Sequence, residues 1–177
     1  MIIIISLGNP GKKFERTRHN AGFEAADFLA AKYEFPEFAF NKKYNALLTE
    51  KSDVILVKPQ TFMNESGSTV KKLTKTYPPV GGAGNSKANT YVVVHDDMDV
   101  PLGKIKVSKA SGAGGHKGVD SIITALGTKE FMRIKIGVEI DPAQKAEDVV
   151  LKKFTKEQYE KLQSVFPEVA KTLEAIE

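Results

Sequence analysis

The sequence predicts a single α/β domain, residues 1–177, built on a twisted, mostly parallel sheet flanked by helices. Three observations lead there. Apolar runs rich in β-branched residues, Ile2 to Ile5 and Tyr91 to Val94, read as strands buried on both faces. Stretches with apolar residues at helical spacing lie between such runs. A pair of strands around Lys51-Ser52-Asp53 reads as a hairpin. Strands alternating with helices are the mark of the α/β class, and the length suits one domain with a substantial core.

The elements follow in order. Ile2 to Ile5 ends at Gly8-Asn9-Pro10-Gly11, where the chain must turn. Ala21, Ala25, Phe28 and Leu29 predict a helix from about Asn20 to Tyr33, ended by Glu34-Phe35-Pro36. Phe38 and Phe40 are expected in core or edge packing. Tyr44 to Glu50 and Val54 to Lys58 form the hairpin strands, and Pro59 stops the second. Val70, Leu73 and Tyr77 mark the next helix. Pro78 to Asn89 reads as a surface loop, and Tyr91 to Val94 as a strand running into His95-Asp96-Asp97-Met98-Asp99. Lys104 to Val107 and Phe131 to Glu139 alternate as half-buried strands do, with a glycine-rich segment and a helix, Val119 to Leu126, between them. Asp141-Pro142 is a turn opening a helical stretch through Val149, Val150 and Leu151. Lys156 to Ile176 is helical, kinked or divided by Pro167.

Composition removes several classes of function. There is no cysteine, so disulfides and thiolate chemistry are excluded. The apolar N-terminal run is too short for a signal peptide or a spanning helix, so a cytoplasmic location without membrane association is expected. The net charge of +4 fits a phosphate-bearing partner. The glycine-rich segments match neither the Walker A pattern nor Gly-x-Gly-x-x-Gly, so no nucleotide cofactor is expected. No Gly-x-Ser-x-Gly is present either.

His19, His95 and His116 each follow a strand or open a helix, and loops at one end of a sheet converge in space. Asp96, Asp97 and Asp99 crowd the end of one strand. A carboxylate that orients a histidine, which in turn takes a proton from water, is the simplest chemistry for such a set. Aspartates capping turns are the structural alternative. Asn9 and Asn64 offer amides suited to a peptide backbone or an ester carbonyl.

Five segments in order resemble the motifs of the bacterial-type peptidyl-tRNA hydrolases. They are Gly8-Asn9-Pro10-Gly11, Thr17-Arg18-His19-Asn20-Ala21-Gly22, Lys58-Pro59-Gln60-Thr61-Phe62-Met63-Asn64-Glu65-Ser66-Gly67, His95-Asp96-Asp97-Met98-Asp99 and Gly114-Gly115-His116-Lys117-Gly118. The resemblance runs from Ile2 to about Glu139. It implies a single domain with a mixed sheet and an esterase that frees tRNA from a bound peptide, without metal or cofactor. It implies His19 as general base and Asp96 as its partner. Asn9 and Asn64 would bind the peptide and ester region, Phe14, Phe62 and Met63 would wall the site, and His116 would sit at the rim.

The sequence departs from the family at two positions. Lys117 stands where the family usually has Asn, and Phe14 where it usually has Tyr. Lysine donates but cannot accept a hydrogen bond, so Lys117 is expected to act on the imidazole's charge or on a tRNA phosphate. Lys104, Lys106, Lys109, Arg133 and Lys135 are expected to form a patch for the 5′ phosphate and acceptor stem. A solubilising strand face explains each lysine equally well. The expected partner is tRNA carrying a peptide, engaged through its acceptor stem and CCA end by a monomer. The chain ends soon after Leu173, so no further tail contact is expected. Two other readings are an RNA-binding module and a metallohydrolase on His19, His95 and the aspartates. The full set of His19, Asp96, Asn9 and Asn64 argues against a pure binder.

Overall fold

A computed structural model describes residues 1–79, 89–138 and 144–176. Strand β1, Ile2–Ser6, is the centre of the sheet. Alternation turns Ile3 and Ile5 to one face and Ile4 to the other, and all are buried. Each such side chain contributes roughly 1.5–3 kcal/mol of hydrophobic stabilisation. Ile4 packs with helix α1, Ala21–Lys32, and with α6, Phe166–Glu174. Ile3 and Ile5 pack with α2, Ser66–Thr76, and α3, Lys117–Leu126.

The remaining strands are β2, Ala39–Asn41, β3, Ala46–Lys51, β4, Val54–Pro59, β5, Thr90–Asp97, β6, Ile105–Lys109, and β7, Met132–Gly137. Their order is β2-β3-β4-β1-β5-β7-β6. β4, β1, β5 and β7 form a parallel core, and antiparallel pairs close each edge. The sheet is therefore mixed, with the hairpin β3–β4 on one side and β6 on the other. β1 is flanked by β4 and β5, so the chain leaves it in opposite directions. The C-terminal ends of these three strands frame the crevice where α/β sheets bind ligands.

Some expectations change in detail. Phe40 lies in an additional edge strand, β2, and is exposed. β5 does not stop at Val94 but continues through His95, Asp96 and Asp97. Asp96 and Asp97 are thus fixed by strand pairing with β7, while Asp99 lies in the turn that follows. The stretch through Val149 shortens to one turn of helix, α4, Ala146–Val149. Pro167 divides the last helical segment, as expected. α5, Lys156–Gln163, ends before it, and Pro167 sits in the first turn of α6, where a missing N–H costs nothing. The loop expected over Pro78 to Asn89 lies largely outside the described residues, and the turn at Asp141-Pro142 entirely so. No helix among the described residues is long and apolar enough to cross a membrane.

One glycine sets the depth at which α1 docks. A Cβ on Gly22 would stand 2.5 Å from the Leu7 carbonyl oxygen and 2.6 Å from that of Val94. Only glycine lets the start of α1 approach the ends of β1 and β5 so closely. His19, three residues earlier, is carried to the end of β5 by that approach.

Candidate active site

A cavity of about 750 Å³ opens at the C-terminal ends of the parallel strands. His19, Asp96, Asn9, Asn64, Phe14, Phe62, Met63, His116 and Lys117 all line it, together with Met98, Val150 and Leu151.

Asp96 is its buried anchor, 1% exposed. Oδ2 lies 2.8 Å from His19 Nδ1, and Oδ1 lies 2.8 Å from His116 Nε2. Burial alone would raise the carboxyl's pKa. The two imidazoles facing it, His116 and then His19, more than offset this and hold it well below the usual carboxylate range. An ionised carboxylate only accepts, so both facing ring nitrogens carry the proton. The hydrogen bonds of His116 agree with this assignment. Its Nδ1 accepts from the backbone amides of Gly118 at 3.1 Å and Val119 at 3.3 Å, so Nε2 must be the N–H. For His19 the bond to Asp96 places a proton on Nδ1, so in the neutral ring the lone pair is on Nε2, which bonds no other described residue. That nitrogen can take a proton from water.

His116 is therefore not a rim residue. It is 9% exposed, caps α3 with one nitrogen and braces Asp96 with the other. His95 is buried behind it, with ring centroids 4.8 Å apart. Its Nδ1 donates to the Asp96 carbonyl at 2.7 Å. Burial, with His116 beside it, pushes the His95 pKa down to about 3, so this ring stays neutral. Among the described residues, the groups close enough to share a metal ion are His19, Asp96 and His116, and His95 is not among them. In the protonation state assigned above, the two facing N–H groups already satisfy the carboxylate.

Asn9 spends its side-chain oxygen on the Met63 amide at 2.8 Å, which ties the turn after β1 to the segment after β4. Asn20 clamps the Asn9 backbone from both sides, at 2.9 and 3.0 Å. What Asn9 has left for a ligand is its Nδ2 donor. Asn64 is exposed and makes no hydrogen bond with other described side chains. Phe62, 55% exposed, meets Phe14 edge to face at 6.4 Å. Met63 is buried below them. Lys117 is exposed at the first position of α3.

The basic positions do not form one patch. Arg133 is 0% exposed, and its guanidinium donates to the backbone carbonyls of Ser111 and Gly112. It braces the glycine-rich loop and is buried away from any phosphate, so that expectation is corrected. Lys106 stands opposite Lys135 in the β6–β7 register, and Lys135 pairs with Asp97 at 2.8 Å. Lys109, three residues beyond Lys106, falls on the other face of β6. Lys104 is exposed just before the strand.

A buried carboxylate orienting an imidazole whose second nitrogen is free, at the mouth of an α/β switch-point cavity, defines a hydrolase-type site. A family described as peptidyl-tRNA hydrolase matches residues 3–177. A peptidyl-tRNA hydrolase from Thermodesulfovibrio yellowstonii is 43% identical, over 99% of this chain and 92% of the relative. One from Brevibacillus brevis is 43% identical over 87% of this chain and 79% of the relative. The crystal structure of peptidyl-tRNA hydrolase from Acinetobacter baumannii superposes with a TM-score of 0.86 at 26% identity, covering 98% of this chain and 87% of that one. The chain belongs to the peptidyl-tRNA hydrolase family, enzymes that hydrolyse peptidyl-tRNA.

Proposed function

We propose that this chain cleaves the ester joining a peptide to tRNA, using water activated by His19. The observation that carries the reading is the grip of Asp96 on His19 Nδ1, which leaves Nε2 basic beside the cavity. Nε2 takes a proton from water as its oxygen attacks the ester carbonyl. The tetrahedral intermediate then expels the ribose oxygen, which receives that proton from His19. Asp96 stabilises the imidazolium that exists between the two transfers and is not itself protonated. The free Nδ2 groups of Asn9 and Asn64 supply donors for the ester and peptide oxygens. Phe14, Phe62 and Met63 offer apolar contact to the acyl part.

The tRNA acceptor stem and CCA end are read through phosphate contacts, with Lys104, Lys106 and Lys135 on the β6–β7 side and Lys117 at the cavity. Every group the reaction uses lies on one chain, so the proposed monomer needs no second subunit to complete the site. The cytoplasm, where translation supplies the substrate, is the proposed location. The test is incubation with N-acetyl-aminoacyl-tRNA beside the unblocked form. Release of free tRNA from the blocked species alone supports the reading, and absence of cleavage overturns it.

A further inference from the structure

Residues 16–19 lie antiparallel to residues 150–154. The Phe154 amide donates to the Arg16 carbonyl at 3.0 Å, and Thr17 bridges Lys153. The Arg18 amide donates to the Lys152 carbonyl at 3.3 Å, and the His19 amide to that of Val150 at 2.8 Å. One side of this ladder carries the base. The other carries Val150 and Leu151, which line the cavity.

The side chain of Arg18 closes the ladder. Nη1 donates to the carbonyls of Lys152 at 3.2 Å and Lys153 at 3.4 Å, and Nη2 to Gln158 Oε1 at 3.1 Å. Its guanidinium carbon stands 5.0 Å from the centroid of the Phe154 ring. Gln158 is itself held in a capping box with Thr155 at the start of α5. Two Nη groups engage three acceptors at once, which suits a rigid fork and not a point charge. With both Nη groups engaged, Arg18 is poorly placed to serve as a phosphate ligand.

We propose that Arg18 is a positioning residue for catalysis. Its guanidinium locks the 150–154 segment to the backbone of His19, so that the base and the apolar wall formed by Val150 and Leu151 keep a fixed separation. The proposal rests on His19 being the base and acts through it. A misplacement on the order of 1 Å at a reacting group is enough to lower a rate about a hundredfold.

The experiment compares wild type, Arg18→Lys, Arg18→Ala and His19→Ala on N-acetyl-aminoacyl-tRNA, with kcat and KM separated and thermal midpoints recorded. Arg18→Ala is expected to lose about ten- to a hundredfold in kcat at saturating substrate. Millimolar guanidinium chloride should restore part of that loss, and sodium chloride at equal ionic strength should not. Arg18→Lys keeps the charge but cannot span the same carbonyls, and should lose at least about fivefold in kcat. If the alanine variant fails to fold, the lysine variant decides. Wild-type kcat in Arg18→Lys, or a folded Arg18→Ala whose loss guanidinium does not relieve, overturns the proposal. His19→Ala reports separately on the base: if it alone is inactive, the base stands and only the role of Arg18 falls.

Discussion

His116 Nε2 lies 2.8 Å from Oδ1 of Asp96, and this bond fixes the carboxylate from the side opposite His19. The other ring nitrogen of His116 caps α3 through the amides of Gly118 and Val119. One side chain thus couples a helix N-terminus to the buried Asp96 carboxylate. Two substitutions separate the roles. His116→Asn keeps a capping oxygen but is too short to reach Asp96 as well, and His116→Ala loses both. The asparagine variant should keep its thermal midpoint to within a few degrees while kcat falls about ten- to a hundredfold. The alanine variant should also lose about 1 kcal/mol of stability. Steady-state kinetics with thermal melts checks both, and an unchanged kcat in either removes His116 from the orientation of Asp96.

Asp96→Asn tests the tautomer directly. An asparagine can turn its Nδ2 donor toward His19 Nδ1 and so favour the proton on Nε2, the wrong nitrogen for a base. A loss in kcat of about three orders of magnitude is expected, with little change in tRNA binding. Filter binding beside turnover measurements gives both numbers.

Burial of His95 has a consequence for stability in acid. Its folded pKa is depressed to about 3, against an ordinary value of about 6.5. Between those limits the unfolded chain binds a proton that the folded chain refuses. Stability therefore falls as pH is lowered through this window, by up to about 1.4 kcal/mol per pH unit. Asp96 acts further down. Its carboxyl is held low, so its contribution is present above about pH 4 and is lost as pH falls toward its folded value. Chemical denaturation at pH 7, 6 and 5 should show a shallower pH slope in His95→Asn than in wild type, whatever the variant's stability at pH 7. Equal slopes would mean that the buried ring is not the source.

The basic residues divide into two kinds. Lys106→Gln should weaken tRNA binding at low salt and reduce the slope of log affinity against log salt by about one. Arg133→Gln should leave that slope unchanged and instead lower the thermal midpoint, because its partners are the Ser111 and Gly112 carbonyls. Salt titrations of the two variants side by side make the comparison.

Much of this was legible in the residues. The isoleucine run could only be a central strand, and the meeting of His19 with Asp96 follows from placing the helix start after β1 beside the C-terminal end of the neighbouring parallel strand β5. The rest leaves little mark in the sequence for physical reasons. Alternation in β7 sets Arg133 and Lys135 on one face, but periodicity does not tell what covers a face, and here loop carbonyls cover Arg133 while Asp97 pairs with Lys135. The dual role of His116 depends on a helix starting one residue later, a boundary that residue pattern fixes poorly. Edge strand β2 is only Ala39–Asn41, too short for alternation to register. The hold of residues 150–154 on Arg18 and His19 is made by the carbonyls of Lys152 and Val150, and backbone groups leave no signature in residue type.

The central claim is that His19 Nε2 is the base that activates water. Single-turnover cleavage of N-acetyl-aminoacyl-tRNA by His19→Ala, with binding measured on the same preparation, tests it most directly. The expected result is a rate lower by roughly three or more orders of magnitude with affinity retained. A His19→Ala protein that still cleaves at near the wild-type rate would contradict it.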